Sequence, residues 1–198
     1  MKIELNQLND QEKYKLLIGS VVPRPIAFVS TAGDGGTNVS PFSFFTVVSK
    51  DPMMLGFTTM PGPNGNKDTL HNIKVQKEYV VNIVSSDFLD QVVQSSATLA
   101  PGESEFDLTG LTPVKSELVR APRVKESKVS FECKLHEVYQ HGKGPESFIV
   151  GEVIAMNVAD EVLMDQLRID TEALQPIGRM AGNFYVNCSE TFKVDRPR

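Results

Sequence analysis

Three short segments combine residue types that could hold an anionic aromatic ligand. In the first, Arg24 sits between Pro23 and Pro25, just before a β-rich run at residues 26–31. Proline fixes φ and pushes its predecessor towards extended geometry, so the guanidinium rides on a stiff lead-in to a strand. The second segment runs from Asn38 and Val39 through Ser40, Pro41, Phe42, Ser43, Phe44, Phe45 and Thr46. It mixes small hydroxyls with aromatics, and Pro41 interrupts a β-ladder so that neighbouring backbone groups can face something else. The third is Lys67, Asp68 and Thr69 at the mouth of an expected helix. A helix start presents unpaired N–H groups and partial positive charge to a phosphate. Lys67 and Arg24 add formal charge, the hydroxyls of Ser43 and Thr69 can donate, and backbone amides around residues 42–45 can bond the polar edge of a ring. Each segment alone has a plainer account: Asp68 as a helix cap, Arg24 in a surface ion pair, the phenylalanines as core. Their order and co-occurrence favour an aromatic ligand with a phosphate tail.

Other chemistries lack their residues. At residues 62–69, Asn66 precedes Lys67 and Asp68 follows it, where a nucleoside-triphosphate loop needs Gly before and Ser or Thr after. Gly33, Gly35 and Gly36 join two expected strands, which suits a hairpin turn better than a dinucleotide fingerprint. His71, His136 and His141 show no ligand spacing and read as surface or packing residues. Cys133 and Cys188 form neither a metal motif nor a disulfide framework. No nucleophile elbow and no Cys–His spacing occur. The expectation is therefore no metal site and no catalytic side chain, and chemistry without such groups usually rests on a bound cofactor.

The elements that must position these segments read mainly as β-structure. A helix is expected around residues 10–17, ended by Pro23. Strands follow at 26–31, from 37 through 49, at 53–58 and at 79–84, with the apolar run at 53–58 read as central in a sheet. Asp68 or Thr69 caps a helix reaching Lys77, and Ser86 or Asp87 caps a second helix, with Phe88, Leu89, Val92 and Val93 at helical spacing. Residues 100–127 read as irregular, with a strand near 112–119. Val129, Phe131, Cys133 and Leu135 alternate with polar residues, the period of a half-buried strand, and 148–156 pairs back on it. A short helix fits within 161–175, and 177–192 ends as extended pieces. Seven or eight strands with two or three peripheral helices, and hairpins outnumbering βαβ units, predict a small closed antiparallel barrel.

Composition sets the outer bounds. The chain has 198 residues, 40% hydrophobic and 23% charged, which fits one globular domain over 1–198 and excludes a disordered chain. Lys+Arg 20 against Asp+Glu 25 gives −5, so no nucleic-acid partner is expected, since a phosphate-backbone binder shows a basic surplus. No apolar run approaches the roughly 20 residues of a membrane span, and the mixed charges of the first 15 residues do not read as a leader. Two isolated thiols point to a reducing cytoplasmic location.

At Pro23 to Thr31, Asn38 to Phe45, Ser49-x-Asp51-Pro52, and Lys67-Asp68-Thr69 followed by Asn72-Ile73, the chain resembles the flavin reductase-like FMN-binding split-barrel family, which includes flavoredoxins and the reductase components of two-component monooxygenases. The resemblance covers about residues 15–160, leaving 161–198 as an extension packing on the barrel or a dimer partner. It implies an antiparallel, Greek-key-like split β-barrel, a homodimer, and FMN bound without a covalent link, with FAD as the alternative flavin. It implies that Arg24 and the stretch Ser40, Pro41, Phe42, Ser43, Phe44, Phe45 and Thr46 line the flavin, and that Lys67, Asp68 and Thr69 hold its phosphate end. Arg179, Gly182 and Tyr185 resemble a C-terminal segment that closes the site, with a pure dimer or packing role as the alternative. NAD(P)H as co-substrate, hydride transfer to flavin, and a monooxygenase or redox-protein acceptor follow from the same resemblance. A non-enzymatic FMN electron carrier without a nicotinamide site is the competing expectation, and a barrel that has lost its cofactor is a third.

Overall fold

The alternation at residues 129–135 grows into one of the two longest strands, and the sheet is assembled around it. The computed structural model describes residues 1–61, 68–99, 103–144, 146–195 and 197. Helix α1 (Asp10–Ser20) opens with a capping box in which the Asn9 side chain and Glu12 exchange bonds with each other's backbone N–H. Strands β1 (Arg24–Pro25), β2 (Ala27–Gly33), β3 (Gly36–Phe42), β4 (Phe45–Lys50) and β5 (Met53–Thr59) follow, then α2 (Asp68–Gln76) and β6 (Glu78–Ile83). Next come α3 (Leu89–Gln94), α4 (Glu105–Thr109) and the short pair β7 (Pro113–Val114) and β8 (Arg123–Val124). The long hairpin β9 (Val129–His141) and β10 (Glu146–Val158) precedes β11 (Leu163–Met164), β12 (Arg168–Ile169), α5 (Thr171–Leu174), β13 (Ile177–Arg179) and β14 (Tyr185–Asn187).

Seven strands form one antiparallel sheet in the order β3-β2-β6-β9-β10-β5-β4. Strands β3 and β4 stand at its opposite edges, yet only Ser43 and Phe44 separate them in sequence. A two-residue link spans at most about 10 Å from Phe42 to Phe45. The two edges must therefore come together, and the sheet curls into a barrel split along the β3/β4 seam. The main-chain N–H of Thr58 on β5 donates to the Phe44 carbonyl at 2.9 Å, which anchors the crossing.

Period-two alternation sorts side chains into an inside and an outside. Ala27 and Val29 of β2, Tyr79 and Val81 of β6, and Cys133 of β9 join Phe42, Phe57 and Ile149 in the inner cluster, and α2 adds Leu70 and Ile73 from positions i and i+3. The opposite face of β2 and β3 contributes Phe28 and Val39 to a second cluster, with Phe88, Val92, Phe106 and Ile177 from the covering elements. No helix among the described residues is long and apolar enough to cross a membrane.

Several local expectations change. The extended run at 37–49 is broken at Ser43–Phe44 rather than continuous, because the chain there steps between sheet edges. Strand β5 lies one place from the edge instead of centrally. Asp68 and Thr69 are the first residues within α2, not its cap. The second helix carries no side-chain cap, and Val93 is exposed. The strand expected near 112–119 shrinks to the two residues of β7, and a short helix, α4, stands in the segment read as irregular. Five α-helices occur among the described residues, two of them five residues or shorter. The polar side of β9 is covered at its start, where Ser130 and Glu132 are buried, and solvated further on, where Lys134 and His136 are exposed. Glu132 accepts from the N–H groups of Glu117 and Leu118 at 3.1 and 2.7 Å and from Asn157 at 3.1 Å, so a loop seals that face by bonding to its carboxylate.

Candidate functional site

Helix α2 is fastened to the β2–β3 hairpin at one cross-strand pair. Thr31 and Asn38 are register partners. The Thr69 hydroxyl donates to Asn38 Oδ1 at 3.0 Å, and Asn72 Nδ2 donates to the Thr31 hydroxyl at 3.0 Å. A Cβ at Gly33 would collide with the Asn72 amide, so glycine there gives the helix its close approach. Two helical residues three apart thus bond to two strand residues facing each other, which sets the helix entrance against the start of β3.

From that entrance β3 runs along the sheet edge. Strand rise puts Asn38 and Phe42 roughly 13 Å apart. Ser40 is buried, Pro41 half-buried and opposite Phe28, and Phe42 is buried with its ring 5.0 Å from that of Phe57. The core reading of the phenylalanines therefore holds for Phe42, and Phe45 packs against the same inner cluster. Ser43, Phe44 and Phe45 are half-buried, and Thr46 is exposed. Because β3 and β4 are edges, half of their backbone N–H and C=O groups face away from any sheet partner. Pro41 is tolerated for that reason.

The small sheet β1-β13-β14 sits against the start of β4 and brings in the C-terminal residues. Arg24 is buried rather than a surface cation, and it has no ion-pair partner among the described residues. Its Nη1 donates to the carbonyls of Ile18 and Val21, each at 2.6 Å, and its Nη2 to that of Met180 at 3.0 Å. Its Nε is buried without a partner, an orphaned donor in the middle of the region. Burial lowers the Arg24 pKa below its usual value; Tyr14 opposes that shift and Arg179 adds to it. Arg179 donates to the Gly182 carbonyl at 2.5 Å, and its guanidinium carbon lies 4.4 Å from the Tyr185 ring centroid.

The candidate residues thus divide. Ser40, Pro41, Phe42, Ser43, Phe44, Phe45 and Thr46 trace one continuous path along the seam, and Thr69 meets its start through Asn38. Arg24, Arg179 and Tyr185 gather in the adjoining small sheet. Asp68 is exposed at the first position of α2. Lys67 lies outside the described residues, as does most of the loop at 62–69. Thr69 is fully buried and its proton is committed to Asn38, which removes it as a hydroxyl donor to a phosphate and leaves its backbone at the helix entrance. All three histidines are exposed, both cysteines are free, and no group of three or more potential metal ligands occurs among the described residues. Sequence reasoning takes Asn38 and Asn72 only as parts of motifs. The signal for Asn38 is an amide mid-strand, where β-propensity is poor and a side-chain bond is the usual reason.

These features fit a planar ligand with an anionic end: unpaired backbone edges and a helix entrance along one seam, with an orphaned cationic donor in the adjoining small sheet. The chain is 43% identical over 203 residues to an uncharacterized protein of Halalkalibacterium halodurans, covering 100% of this chain and 97% of that one. Its fold matches the crystal structure of nitrilotriacetate monooxygenase component B from Bacillus cereus with TM-score 0.93 and 33% identity, over 98% of each chain. It matches 2-nitrobenzoate 2-nitroreductase from Pseudomonas fluorescens with TM-score 0.91 and 29% identity, over 100% of this chain and 96% of that one. Residues 18–176 match the model of the flavin reductase like domain, and the chain belongs to that family of split-barrel, flavin-binding oxidoreductases.

Proposed function

We propose that the chain binds FMN without a covalent link and works as an NAD(P)H-dependent flavin reductase, a homodimer that hands electrons to an acceptor or a partner monooxygenase. The observation that carries this reading is the continuous seam from the α2 entrance at Asn38 and Thr69 to the Ser43–Phe44 crossing, where a helix start and unpaired strand edges lie in line. The name of the Bacillus cereus relative, a monooxygenase component, supports the acceptor class.

In this reading the backbone of the first turn of α2, with Asp68, Thr69 and the preceding Lys67, holds the phosphate end. Backbone groups of Ser40 to Thr46 bind the polar edge of the ring, and Phe44 and Phe45 shield its face from water. Arg24, through Nε, and the Arg179–Tyr185 pair close the far side and supply positive charge. Donors and cations fixed before reaction stabilise negative charge without reorganising. A bound flavin supplies two-electron acceptance and release. No side chain needs to move a proton in the hydride step, so the work of the chain is to hold two rings at about 3–3.5 Å and to exclude water.

The test is an absorbance spectrum of protein mixed with FMN and desalted, taken before and after NADH or NADPH. A retained yellow colour that bleaches with either nucleotide, with steady turnover on added FMN, supports the proposal. A colourless protein overturns it. Retained FMN without nucleotide oxidation would leave an electron carrier. Light scattering tests the dimer.

A further inference from the structure

A buried acid stands behind the phosphate end of the proposed site. Glu105 opens α4 and is buried. Its two oxygens accept from Asn38 Nδ2 at 2.9 and 3.0 Å, and Oε2 also accepts from the Val39 N–H at 3.2 Å. The helix it opens is anchored beside the same strand, because the Ser104 hydroxyl donates to the Thr37 carbonyl at 2.7 Å. Three successive residues of β3 are thus bound by Glu105 and by Ser104, the residue that caps its helix.

This arrangement dictates polarity further along. The side-chain amide of Asn38 has one donor end and one acceptor end. With the donor end turned to Glu105, only Oδ1 faces α2, and Thr69 must donate to it. The Thr69 hydroxyl is then fixed in both position and direction, and with it the first turn of α2. Nothing in the local sequence of α2 would impose that, since the residue that orients it comes from a helix 36 positions further on.

We infer that Glu105 is a positioning residue for the phosphate end, acting through Asn38 on Thr69 and the α2 entrance; this rests on the flavin reading above. The inference separates from simple electrostatics. A carboxylate near an anion site repels the anion, so charge alone predicts that Glu105→Gln tightens FMN binding. Positioning predicts the opposite, because a glutamine amide sets a donor against Asn38 Nδ2 or the Val39 N–H.

The experiment titrates wild type, Glu105→Gln and Thr69→Val apoproteins with FMN and with riboflavin, which lacks the phosphate, by flavin fluorescence. Glu105→Gln is expected to raise the FMN Kd by about tenfold or more, the size of one charge-assisted bond, while riboflavin affinity changes by less than about twofold. Thr69→Val should reproduce the split. The double variant should be no weaker than the worse single variant by more than about twofold, because the two residues act in one chain. FMN binding that is unchanged or tighter in Glu105→Gln overturns the inference, as do equal losses for both flavins or additive losses in the double variant. A wild type that binds neither flavin overturns the flavin reading itself, and the inference with it. That result differs from a wild type that binds both while Glu105→Gln matches it. Thermal unfolding of each variant checks the fold, and the near-isosteric glutamine keeps the comparison available if Glu105→Ala does not fold.

Discussion

Arg24 and Arg179 stand directly opposite each other across the antiparallel pair β1–β13. Like charges in that position repel. Each keeps its charge and is solvated by neutral partners: Arg24 by three carbonyls, Arg179 by the Gly182 carbonyl and the Tyr185 ring. Because two of the Arg24 carbonyls end α1 and the third belongs to Met180, one side chain joins the first helix to the C-terminal segment.

Arg24→Ala should therefore destabilise the protein by about 2–4 kcal/mol, because three charge-assisted bonds from a buried guanidinium to part-buried carbonyls are lost. Arg24→Lys should recover only part of that, since one ammonium does not span three acceptors as a planar fork does. Urea unfolding measures the loss, and limited proteolysis should show earlier cutting around residues 176–188. Unchanged unfolding and cutting in Arg24→Ala would remove the staple role.

Asn82 is fully buried and uses its whole amide. Nδ2 donates to the Phe28 carbonyl at 3.0 Å and the Ser30 hydroxyl at 3.2 Å, while Oδ1 accepts from the Val124 N–H at 3.0 Å and the Ser130 hydroxyl at 2.8 Å. Asn82→Ala leaves several buried groups unpaired and should cost about 3 kcal/mol or more by chemical denaturation. Asn82→Asp should also be destabilised, since a carboxylate cannot donate to the Phe28 carbonyl. A loss below about 1 kcal/mol in the alanine variant would contradict this.

Inside the barrel, burial pushes the Tyr79 hydroxyl and the Cys133 thiol well above their ordinary pKa values; the Cys133 thiolate raises the former further and Glu132 the latter. Folding therefore holds these protons where the unfolded chain has lost them. Stability is full below the ordinary thiol value of 9.0 and falls as pH rises above it, by up to about 1.4 kcal/mol per pH unit for each group. Urea midpoints at pH 7, 9 and 10.5 should drop in that order, and Cys133→Ala should flatten the first part of the drop. The Tyr79 hydroxyl is also buried without a hydrogen-bond partner. Tyr79→Phe should accordingly match or exceed wild-type stability. A substantial loss would reveal a bond the geometry does not contain.

Lys67→Ala should raise the FMN Kd about tenfold or more with little change in thermal unfolding. Equal binding by variant and wild type would detach Lys67 from the phosphate end.

Most strands are legible because their signals are local, whereas the step between sheet edges at Ser43–Phe44 is not, since it depends on how distant strands pair. Alternation at 129–135, the glycine turn at 33–36 and the breaker at Asp51–Pro52 each mark an element from a few neighbours. What depends on distant contacts is not. Arg24 reads as a surface cation until the chain brings Met180 to it, 156 residues later. Thr69 reads as a free hydroxyl donor until Asn38 takes its proton. Glu132 reads as the solvated side of a strand until a loop bonds to it. Helix α4 is not legible because five residues leave too little periodicity to detect, and Glu105 has no signal of its own.

The strand order also governs how fast the chain can reach its native state. The hairpins β2–β3, β4–β5 and β9–β10 close over short loops, but uniting them requires β6 to join β2 to β9 and β5 to find β10. That last contact brings together Thr59 and Ser147, 88 residues apart. Chain entropy must be surrendered before such a distant pairing gains anything, so this strand order is expected to fold more slowly than one built from local contacts.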